Sequence, residues 1–459
     1  MEHIHFIGIS GSGLSAIARL LLESGYQVSG SDRMPTAIAQ ELEQLGAMIY
    51  TGHAASNIDG ANLVVRSSAV PDENIEVISA QAKHIPVLKR SQFLGQILTE
   101  KAMIAIAGTH GKTTTTAMAA WVFQQCSRDP SYIIGGVSKD LGSNAHAGRG
   151  SEFIIEADEY DRMFLGLHPE IILITYLEHD HPDCFPTPQA YRQAFEQFIQ
   201  QLTPDGLLIV NGDHQPTASL MDQAPHGCQS FTFGLSAEVN YRAANLTPQP
   251  AGGSDFDLIF SAEGKWQSLG HFSLGLPGLH NVRNALSVLA LAHQSSLSLE
   301  KVGQALRTFR GTGRRFDLVG EALGITIIDD YAHHPTEIRA TLQAARARYA
   351  GRRIWAVWQP HTFSRTLTLL QEFAASFQDA DRVIVTEVYA AREVNPGFSA
   401  RSVAEAIREP QVHFSPTLED ATQTLLAGLV PGDVLIVLSA GDADGISHQV
   451  FTALQEKEA

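Results

Sequence analysis

The stretch Gly108-Thr109-His110-Gly111-Lys112-Thr113-Thr114 decides the fold that the sequence predicts. The apolar run 103–107 in front of it predicts a buried parallel strand, and the run 117–123 behind it predicts a helix. A glycine turn between a strand and a helix is typical of a phosphate-binding loop, because backbone N–H groups and the helix N-terminus then face the phosphates. We therefore predict that Lys112 reaches the β- and γ-phosphates of a nucleoside triphosphate and that Thr113 binds Mg²⁺.

The match to the usual form of this loop is incomplete. That form has a glycine five residues before Gly111, and this chain has Ile106 there. The alternative interpretation is an ordinary glycine-rich turn. A lysine and a threonine in register behind a strand favour the phosphate-binding loop, which is then expected to enclose a triphosphate in a shortened form.

The composition limits the classes of function. The chain has 459 residues, which is long enough for about three domains. It carries 32 basic and 49 acidic side chains, and the net charge of −17 argues against binding to nucleic acid or to anionic membranes. Its three cysteines are odd in number and widely spaced, which predicts a reducing compartment. Neither a signal peptide nor a membrane-spanning run is expected, so the sequence predicts a cytoplasmic protein.

The first part of the chain, residues 1–98, alternates predicted strands and helices. A strand over 3–9 leads into Ser10-Gly11-Ser12-Gly13, which is similar to a dinucleotide-binding fingerprint with a serine at its middle glycine position. Asp32 follows Gly13 by 19 residues and stands where such folds place a ribose-binding carboxylate. The alternative is a strand–helix–strand unit that binds no ligand.

A second ligand-binding wall is predicted in the same domain. The apolar run that begins at Leu63 predicts a strand over 63–71 that passes into polar residues, among them Ser67 and Ser68. The carboxyl ends of parallel strands meet at one edge of a sheet, so both serines are expected to face the same ligand as Gly13.

Two acidic clusters follow buried strands in the middle of the chain. The strand 153–155 leads into Glu156-Ala157-Asp158-Glu159, and the strand 171–175 leads into Glu178-His179-Asp180-His181. Both clusters are expected at the sheet edge beside the phosphate-binding loop, where carboxylate and imidazole groups hold Mg²⁺. Solvated charges on two turns are the alternative interpretation.

The remaining segments complete an α/β chain of three domains. Residues 240–275 are predicted to form hairpins, and strands are predicted at 326–328, 354–358, 382–385 and 434–438. The fold class is a Rossmann-like domain over 1–98, a central phosphate-loop domain with a parallel sheet over 99–313, and a second Rossmann-like domain over 314–459. Two nucleotide-type domains beside a domain rich in His, Arg and Asp suggest that two substrates are joined at the expense of ATP. From the residues alone this is one option among phosphoryl transfers.

The motifs together resemble those of the Mur ligase family over nearly the whole chain. The matching segments are Gly11-Ser12-Gly13, the loop at 108–114, the clusters at 156–159 and 178–181, His280-Asn281-x-x-Asn284, Arg314-Arg315-Phe316 and the run at 329–337. The resemblance implies an ATP-dependent ligase that joins L-alanine to UDP-N-acetylmuramate through an acyl phosphate, in peptidoglycan precursor synthesis. It also implies that the C-terminal domain swings in to complete the ATP site.

The resemblance implies a role for each matching residue. The implied ATP-binding residues are Gly108, Thr109, His110, Gly111, Lys112, Thr113, Thr114, Asn281, Asn284, Arg315 and Asp330. The implied catalytic residues are Lys112, Glu156, His181 and Arg315, and the implied Mg²⁺ ligands are Thr113, Glu156 and His181. The implied UDP-sugar site contains Ser10, Gly11, Ser12, Gly13, Asp32, Ser67 and Ser68, and the implied amino-acid site contains Tyr331, His333 and Arg365. The expected partners are these small molecules alone, with the chain as a monomer or homodimer.

Several positions depart from the family pattern. Tyr176 stands where the family usually has an asparagine, and Thr362 stands where it often has an arginine. Some members carry a carbamylated lysine near the metals, and the nearest position here is Arg192, which cannot form that carbamate. These departures bear on amino-acid specificity more than on the use of ATP.

Three other interpretations stay open. A family member that attaches a recycled tripeptide often has Glu-Tyr-Asp as at 159–161, but the short spacing from Asp161 to Pro169 favours the L-alanine enzyme. The intact Lys112 and Glu156 argue against a family member that has lost catalysis and only binds nucleotide. The third interpretation, based on residues 1–32 alone, is an NAD-dependent oxidoreductase. It does not explain the phosphate-binding loop or the two acidic clusters.

Overall fold

The strands of the chain form three separate sheets of five, ten and six strands. A computed structural model describes residues 2–34, 36–97, 99–250, 252–262 and 264–458. The sheets follow one another along the sequence, and we call their surroundings the N-terminal, central and C-terminal units. The predicted α/β class with three such units is confirmed. None of the described helices is both long enough and apolar enough to cross a membrane.

The N-terminal sheet is parallel, with the strand order β3-β2-β1-β4-β5. Its strands are β1 (His3–Ile7), β2 (Gln27–Asp32), β3 (Met48–Thr51), β4 (Leu63–Arg66) and β5 (Val87–Lys89). Its helices are α1 (Ser12–Glu23), α2 (Ala37–Gln44), α3 (Ile75–Ala82) and α4 (Arg90–Leu94). The strand order reverses beside β1, and the crevice at such a point is where open α/β sheets bind ligands.

Two predicted strands of this unit end earlier than expected. The first ends at Ile7 and not at Ile9, because Gly8 takes φ 83° and turns the chain out of the sheet. The strand predicted over 63–71 ends at Arg66, so Ser67 and Ser68 lie in the turn that follows it. Both differences leave the polar residues where the prediction put them, beyond the carboxyl ends of the strands.

The central sheet has the order β15-β14-β13-β12-β11-β10-β6-β9-β7-β8. Its strands are β6 (Ala102–Ala107), β7 (Ser131–Ile133), β8 (Ala145–His146), β9 (Glu152–Glu156), β10 (Ile171–Ile174), β11 (Leu207–Asn211), β12 (Gln229–Gly234), β13 (Tyr241–Pro248), β14 (Ser254–Ala262) and β15 (Lys265–Leu274). Its helices are α5 (Lys112–Gln125), α6 (Pro188–Ile199), α7 (Gln215–Ala218), α8 (Leu279–Gln294) and α9 (Leu299–Thr308), with 3₁₀ turns at Tyr160–Gly166 and Ser219–Gln223. The middle of the sheet is parallel, and the predicted hairpins are antiparallel strands added to one side of it.

The C-terminal sheet has the order β16-β17-β21-β18-β19-β20, parallel except for β16. Its strands are β16 (Asp317–Ala322), β17 (Ile325–Asp330), β18 (Ile354–Gln359), β19 (Arg382–Thr386), β20 (Gln411–Ser415) and β21 (Val434–Ser439). Its helices are α10 (Pro335–Arg348), α11 (Phe363–Thr368), α12 (Leu370–Ala374), α13 (Arg401–Ala406), α14 (Leu418–Gly428) and α15 (Asp444–Glu458). Strands β17, β18 and β21 are buried at every position, as expected for strands covered on both faces.

The predicted domain boundaries fall between the sheets. Helix α4 ends at Leu94 and β6 begins at Ala102, but residue 98, at the predicted boundary, lies outside the described residues. Helix α9 ends at Thr308 and β16 begins at Asp317, so the division after 313 falls in the connection between them. The placing of the boundaries at these residues stays a prediction.

The buried apolar side chains join the first two units but not the third. One cluster runs without interruption from the N-terminal unit, with Phe6 and Phe93, into the central unit, with Phe153 and Phe195. The clusters of the C-terminal unit contain only residues of that unit. Apolar burial therefore holds the first two sheets together, and polar contacts hold the third sheet against them.

Candidate nucleotide-binding and catalytic site

The predicted phosphate-binding loop joins the buried strand β6 to helix α5. Gly111 takes φ 80° at the start of the helix, and a Cβ atom there would lie 2.7 Å from Asn284 Oδ1. A Cβ atom on Gly108 would lie 2.2 Å from Thr175 Oγ1. Both positions therefore require glycine. The first N–H groups of α5 have no partners within the helix and point to the space that a phosphate would occupy.

Lys112 is folded over its own loop. Its Nζ donates to Gly108 O at 2.5 Å and lies 2.9 Å from Glu159 Oε2. Burial opposes the charge of this amine, but the carboxylates of Glu159, Asp158 and Glu156 outweigh burial and raise the pKa of Lys112 above its usual value. The side chain is therefore a buried cation, as binding of a polyphosphate requires.

Thr113 and Glu156 are joined beside this lysine. Thr113 Oγ1 donates to Glu156 Oε1 at 3.0 Å, and the backbone N–H of Gly135 donates to Glu156 Oε2 at 2.6 Å. Burial raises the pKa of Glu156, so a cation beside the carboxylate would restore its charge. A hydroxyl and a carboxylate oxygen at this spacing fit a hard divalent cation.

His181 lies on the wall of the same cavity, which has a volume of about 700 Å³. Its Nε2 is 3.7 Å from Glu159 Oε1, and its backbone takes φ 53°. The structure brings Lys112, Thr113, Glu156, His181 and Arg315 to this one cavity, together with Gly13, Tyr331, His333 and Arg365. All three units contribute residues to the wall, so the cavity lies between the units, beyond the carboxyl ends of their strands.

A second cavity of about 390 Å³ opens beside the loop. The predicted ATP-binding residues that line it are His110, Gly111, Thr114, Asn281, Asn284, Arg315 and Asp330. Asn281 and Asn284 are buried, and Asn284 Nδ2 donates to Asn281 Oδ1 at 3.2 Å. Tyr176, which departs from the family pattern, also lines the cavity and stacks on His214 with ring centres 3.9 Å apart.

Asp330 faces inward from the C-terminal unit. Its two carboxylate oxygens accept hydrogen bonds from the backbone N–H groups of Phe316 and Ala332, each at 2.8 Å. Burial raises the pKa of Asp330 to about 6. Asp330 therefore fixes the turn that carries Arg315 to the wall of both cavities.

His110 links the central unit to the C-terminal unit. Its ring nitrogens lie 3.0 Å from Glu178 Oε2 and 3.2 Å from Glu337 Oε1. Burial opposes protonation, but the hydrogen bonds to both carboxylates raise the pKa of His110 to about 9. Thr336 Oγ1 also donates to Glu178 at 2.8 Å. These four residues, which we call the interface cluster, hold α10 against the phosphate-binding loop.

The interface cluster overlaps a geometric arrangement that resembles a metal site. His110, Glu178 and His334 offer ligand atoms within 4.8 Å of one another. A histidine with a raised pKa is protonated and has no lone pair for a metal. The hydrogen bonds of His110 therefore favour an ion pair between units here.

The predicted amino-acid residues Tyr331, His333 and Arg365 also line the larger cavity. The Tyr331 ring lies edge-on to His333 with ring centres 5.4 Å apart, and the guanidinium of Arg315 lies 4.9 Å from the centre of the Tyr331 ring. Burial lowers the pKa of His333 to about 3, and its Nδ1 lies 2.9 Å from Tyr331 O. Because a carbonyl oxygen only accepts, the proton of His333 is on Nδ1 and Nε2 is an acceptor.

Arg365 is part of the cavity wall but is already paired. Its Nε donates to Asp180 Oδ1 of the central unit at 2.7 Å, and a terminal nitrogen lies 3.1 Å from His361 Nδ1. Arg365 therefore connects two units in this structure. Its predicted contact with the amino acid stays a prediction.

The predicted UDP-sugar residues do not all reach the larger cavity. Gly13 lines it, and a Cβ atom there would lie 1.5 Å from a terminal nitrogen of Arg90. Asp32 accepts from the N–H groups of Ser10 and Arg33 at 3.0 and 2.8 Å, so it holds the glycine-rich loop in place.

Two serines of the predicted UDP-sugar site, Ser67 and Ser68, do not line the larger cavity. Ser68 Oγ donates to Asp161 of the central unit at 2.7 Å, and Ser67 Oγ accepts from the N–H of Ala69 at 3.4 Å. The described atoms of Gly11 and of the Ser12 backbone belong to the turn into α1, and the Ser12 side chain lies outside the described part of the structure. Their contact with a UDP-sugar stays a prediction.

Several residues of the site were missed by the sequence reasoning. Glu159 and Asp180 belong to the two acidic clusters, but their ion pairs with Lys112 and Arg365 appear only in the folded structure. Tyr191, whose hydroxyl donates to Glu159 at 3.0 Å, lies on α6 in a run without a motif. Arg90 pairs with Asp158 at 3.1 Å, and the sequence around it carried no signal either.

The chain matches three models of protein families, one for each unit. Residues 3–102 match the model described as Mur ligase family, catalytic domain, and residues 106–292 match the Mur ligase middle domain. Residues 314–441 match the model described as Mur ligase, glutamate ligase domain. The three matches follow the order of the sheets.

Known proteins are similar over the full length. A UDP-N-acetylmuramate–L-alanine ligase of Acidobacterium capsulatum is 41% identical over 458 residues, which cover 99% of this chain and 98% of that protein. A protein of the same name from Desulforamulus reducens is 41% identical over 463 residues, with coverage of 99% and 98%.

Solved structures show the same arrangement. A UDP-N-acetylmuramate–alanine ligase from Thermotoga maritima matches with a TM-score of 0.83 and 29% identity over 100% of both chains. A murein peptide ligase from Psychrobacter arcticus matches with a TM-score of 0.72 and 25% identity over 99% of both chains.

Proposed function

Because the chain belongs to the Mur ligase family, we propose that it is an ATP-dependent ligase that joins L-alanine to the carboxylate of UDP-N-acetylmuramate. The observation that carries the proposal is the single cavity that Lys112, Glu156 and His181 share with Arg315 and His333. Its wall combines residues suited to a triphosphate with residues suited to a small amino acid. The reaction contributes to the synthesis of peptidoglycan precursors.

The chemistry has two steps. In the first, a carboxylate oxygen of the sugar attacks the γ-phosphorus of ATP, and ADP leaves with the electrons of the broken P–O bond. In the second, the amine of L-alanine attacks the carbonyl carbon of the acyl phosphate, and inorganic phosphate leaves. The amine loses its proton, so the products are the amide, ADP, phosphate and one proton. An acyl phosphate is needed because a free carboxylate is a poor electrophile at neutral pH.

The residues around the loop hold and stabilise the phosphates. Lys112 leaves Glu159 for the β- and γ-phosphates, and the N–H groups at the start of α5 bind the same oxygens. Arg315, brought in by the C-terminal unit, balances the charge that grows on the transferred phosphoryl group. Asn281 and Asn284 present buried amides to the adenine.

The divalent cation that the family requires is Mg²⁺ in this proposal. Thr113, Glu156 and His181 would hold it, and its double charge would lower the repulsion between the phosphates and the sugar carboxylate. Tyr331, His333 and Arg365 receive L-alanine. The neutral His333 has a free Nε2 lone pair, which accepts a hydrogen bond from the incoming ammonium group.

The remaining expectations are part of the same proposal. The N-terminal unit receives the UDP diphosphate at Ser12-Gly13, at the crevice where its strand order reverses. The enzyme acts in the cytoplasm on three small molecules, as a monomer or homodimer.

Phosphate release tests this function directly. The chain is mixed with Mg-ATP and UDP-N-acetylmuramate, and L-alanine, glycine, D-glutamate or L-alanyl-γ-D-glutamyl-meso-diaminopimelate is added in parallel. We expect release with L-alanine, with an amide product of matching mass. Release only with the tripeptide would support the second candidate, a murein peptide ligase, which the Glu159-Tyr160-Asp161 segment favours. No release with any amine would overturn both candidates.

A further inference from the structure

The arginines that line the larger cavity are not equally paired. Five arginines contribute to its wall. Four of them have a carboxylate oxygen within 4.0 Å: Arg90 with Asp158, Arg314 with Asp329, Arg315 with Glu337 and Arg365 with Asp180. Among the described residues, Arg392 has no carboxylate within that distance. The cavity therefore contains one guanidinium whose charge is free for a ligand.

Arg392 is held in position by an aromatic ring of another unit. Its guanidinium carbon lies 4.3 Å from the centre of the Tyr160 ring, at a distance where the cation and the ring attract each other. The Tyr160 hydroxyl donates to Asp183 at 3.0 Å, and the edge of its ring packs against His181 with ring centres 5.1 Å apart. Tyr160 thus fixes Arg392 close to the end of the cavity where the acyl phosphate forms.

The backbone next to Arg392 is tied to the wall of the cavity. His361 and Tyr389 form an isolated parallel bridge, with Tyr389 N donating to Pro360 O at 2.8 Å and Thr362 N donating to Tyr389 O at 3.0 Å. The rings of His361 and Tyr389 stack with centres 5.8 Å apart. The segment that carries Arg392 is therefore positioned by the residues that lead into α11, the helix that carries Arg365.

The proposed reaction brings a carboxylate close to Arg392, namely the α-carboxylate of the incoming amino acid. The α-carboxylate of an amino acid is two bonds from the attacking nitrogen, so it must lie within a few ångströms of the reacting carbonyl. Asp180 and Glu337 line the cavity, and their ion pairs with Arg365 and His110 occupy those two cations, so neither is left for the substrate carboxylate. Thr362, at a position where the family often has an arginine, supplies no positive charge for it either.

We propose that Arg392 binds the α-carboxylate of the incoming amino acid and makes the enzyme select amines that carry a free carboxylate. This inference rests on the proposed function and adds a specificity residue to Tyr331, His333 and Arg365. A planar guanidinium binds a carboxylate with two parallel hydrogen bonds. An L-alanyl peptide has an amide in place of this carboxylate, so Arg392 favours the free amino acid over a peptide.

The test compares L-alanine with L-alaninamide, which has the same amine but lacks the negative charge. We expect the unchanged enzyme to prefer L-alanine in kcat/KM. Arg392→Ala should raise the KM for L-alanine about 10- to 100-fold, as expected for loss of a charged hydrogen bond, and leave the KM for ATP within about twofold. The preference for L-alanine over L-alaninamide should fall by the same factor as kcat/KM for L-alanine.

Arg401→Ala is a matched control. Arg401 also belongs to the C-terminal unit and also lies over an aromatic ring, with 4.4 Å from its guanidinium carbon to the centre of the Phe414 ring, but it does not line the cavity. This variant should keep the kinetics of the unchanged enzyme. Arg392→Lys should recover part of the preference, because it restores the charge but not the paired hydrogen bonds.

Equal losses with L-alanine and L-alaninamide in Arg392→Ala would overturn the inference, because a purely structural role affects both amines alike. An unchanged KM for L-alanine would overturn it as well. The proposed function fails separately, in the unchanged enzyme, if L-alanine causes no phosphate release, and the role of Arg392 then fails with it.

Discussion

Arg365 of the C-terminal unit donates from Nε to Asp180 Oδ1 of the central unit at 2.7 Å, and the two side chains are only 3% and 4% exposed. Although burial opposes its charge, Arg365 holds the pKa of Asp180 well below its usual value. Either group alone would be a buried charge without a partner, which is strongly unfavourable. This ion pair therefore stabilises the closed arrangement, in which the C-terminal unit completes the site.

Loss of this ion pair should weaken closure more than folding. Because breaking a buried pair costs about 3–5 kcal/mol, we expect Arg365→Ala to lower kcat/KM for L-alanine at least about 100-fold. The double variant Arg365→Ala with Asp180→Ala should be less impaired than the sum of the single variants, since it leaves no unpaired charge. Steady-state kinetics on the four proteins measure this coupling, and strictly additive losses would contradict it.

Replacement of Lys112 should abolish turnover and leave the fold intact. Lys112→Met removes the amine that lies 2.9 Å from the buried Glu159 carboxylate, so we expect a loss of activity of at least about 1000-fold and a lower melting temperature. Adding Glu159→Gln should recover the melting temperature but not the activity. Calorimetry and phosphate release separate the two effects, and retained ATP-dependent activity in Lys112→Met would disprove the phosphate-binding role of this loop.

The interface cluster should make closure depend on pH. The pKa of a free histidine is about 6.5, and that of His110 in the cluster is about 9. The charge that His110 offers to Glu337 across the interface is therefore present at neutral pH and is lost as the pH rises through about 9.

The ratio of kcat/KM for L-alanine between the unchanged enzyme and His110→Asn isolates this effect, because titration of the substrate cancels in the ratio. We expect the ratio to fall between pH 7 and 10. A ratio that stays constant over this range would show that the charge of His110 has no part in closure.

The charge of Glu156 should determine the Mg²⁺ concentration that the enzyme needs for half-maximal rate. Its carboxylate accepts from Thr113 and Gly135, so Glu156→Gln keeps the size of the side chain but removes the charge offered to the metal. We expect an activity loss of at least about 100-fold and a higher Mg²⁺ concentration for half-maximal rate. Glu170→Gln is the control, since Glu170 is exposed just before β10, at the opposite edge of the sheet. Equal Mg²⁺ dependence in Glu156→Gln and the unchanged enzyme would contradict the assignment.

The sequence predicted the features that depend on local patterns. The strands β6, β9 and β10 were visible as apolar runs, and the polar residues at their carboxyl ends followed from the geometry of parallel sheets. The end of β1 was placed two residues too late because Ile9 continues the apolar run. The positive φ of Gly8, which ends the strand, has no counterpart in hydrophobicity.

The contacts between units could not be read from the sequence in the same way. His110 meets Glu337 across 227 positions, and this contact depends on how the C-terminal unit docks. The hydrogen bonds that Asp32 accepts from nearby backbone N–H groups also appear only in the fold, and its contact with a ribose stays a prediction. Arg392 belongs to no motif, and its importance appears only when the other arginines of the cavity are found to be paired.

The apolar cluster that runs from Phe6 to Phe195 divides the chain into two cooperative blocks, although it has three sheets. Side chains that share one core lose their contacts together, so the N-terminal and central units are expected to melt in a single transition. The C-terminal block, with its own core, is free to melt separately. A ligand that binds to both blocks at once would merge the two transitions into one. The number of transitions in a calorimetric trace therefore reports which substrates stabilise the closed arrangement.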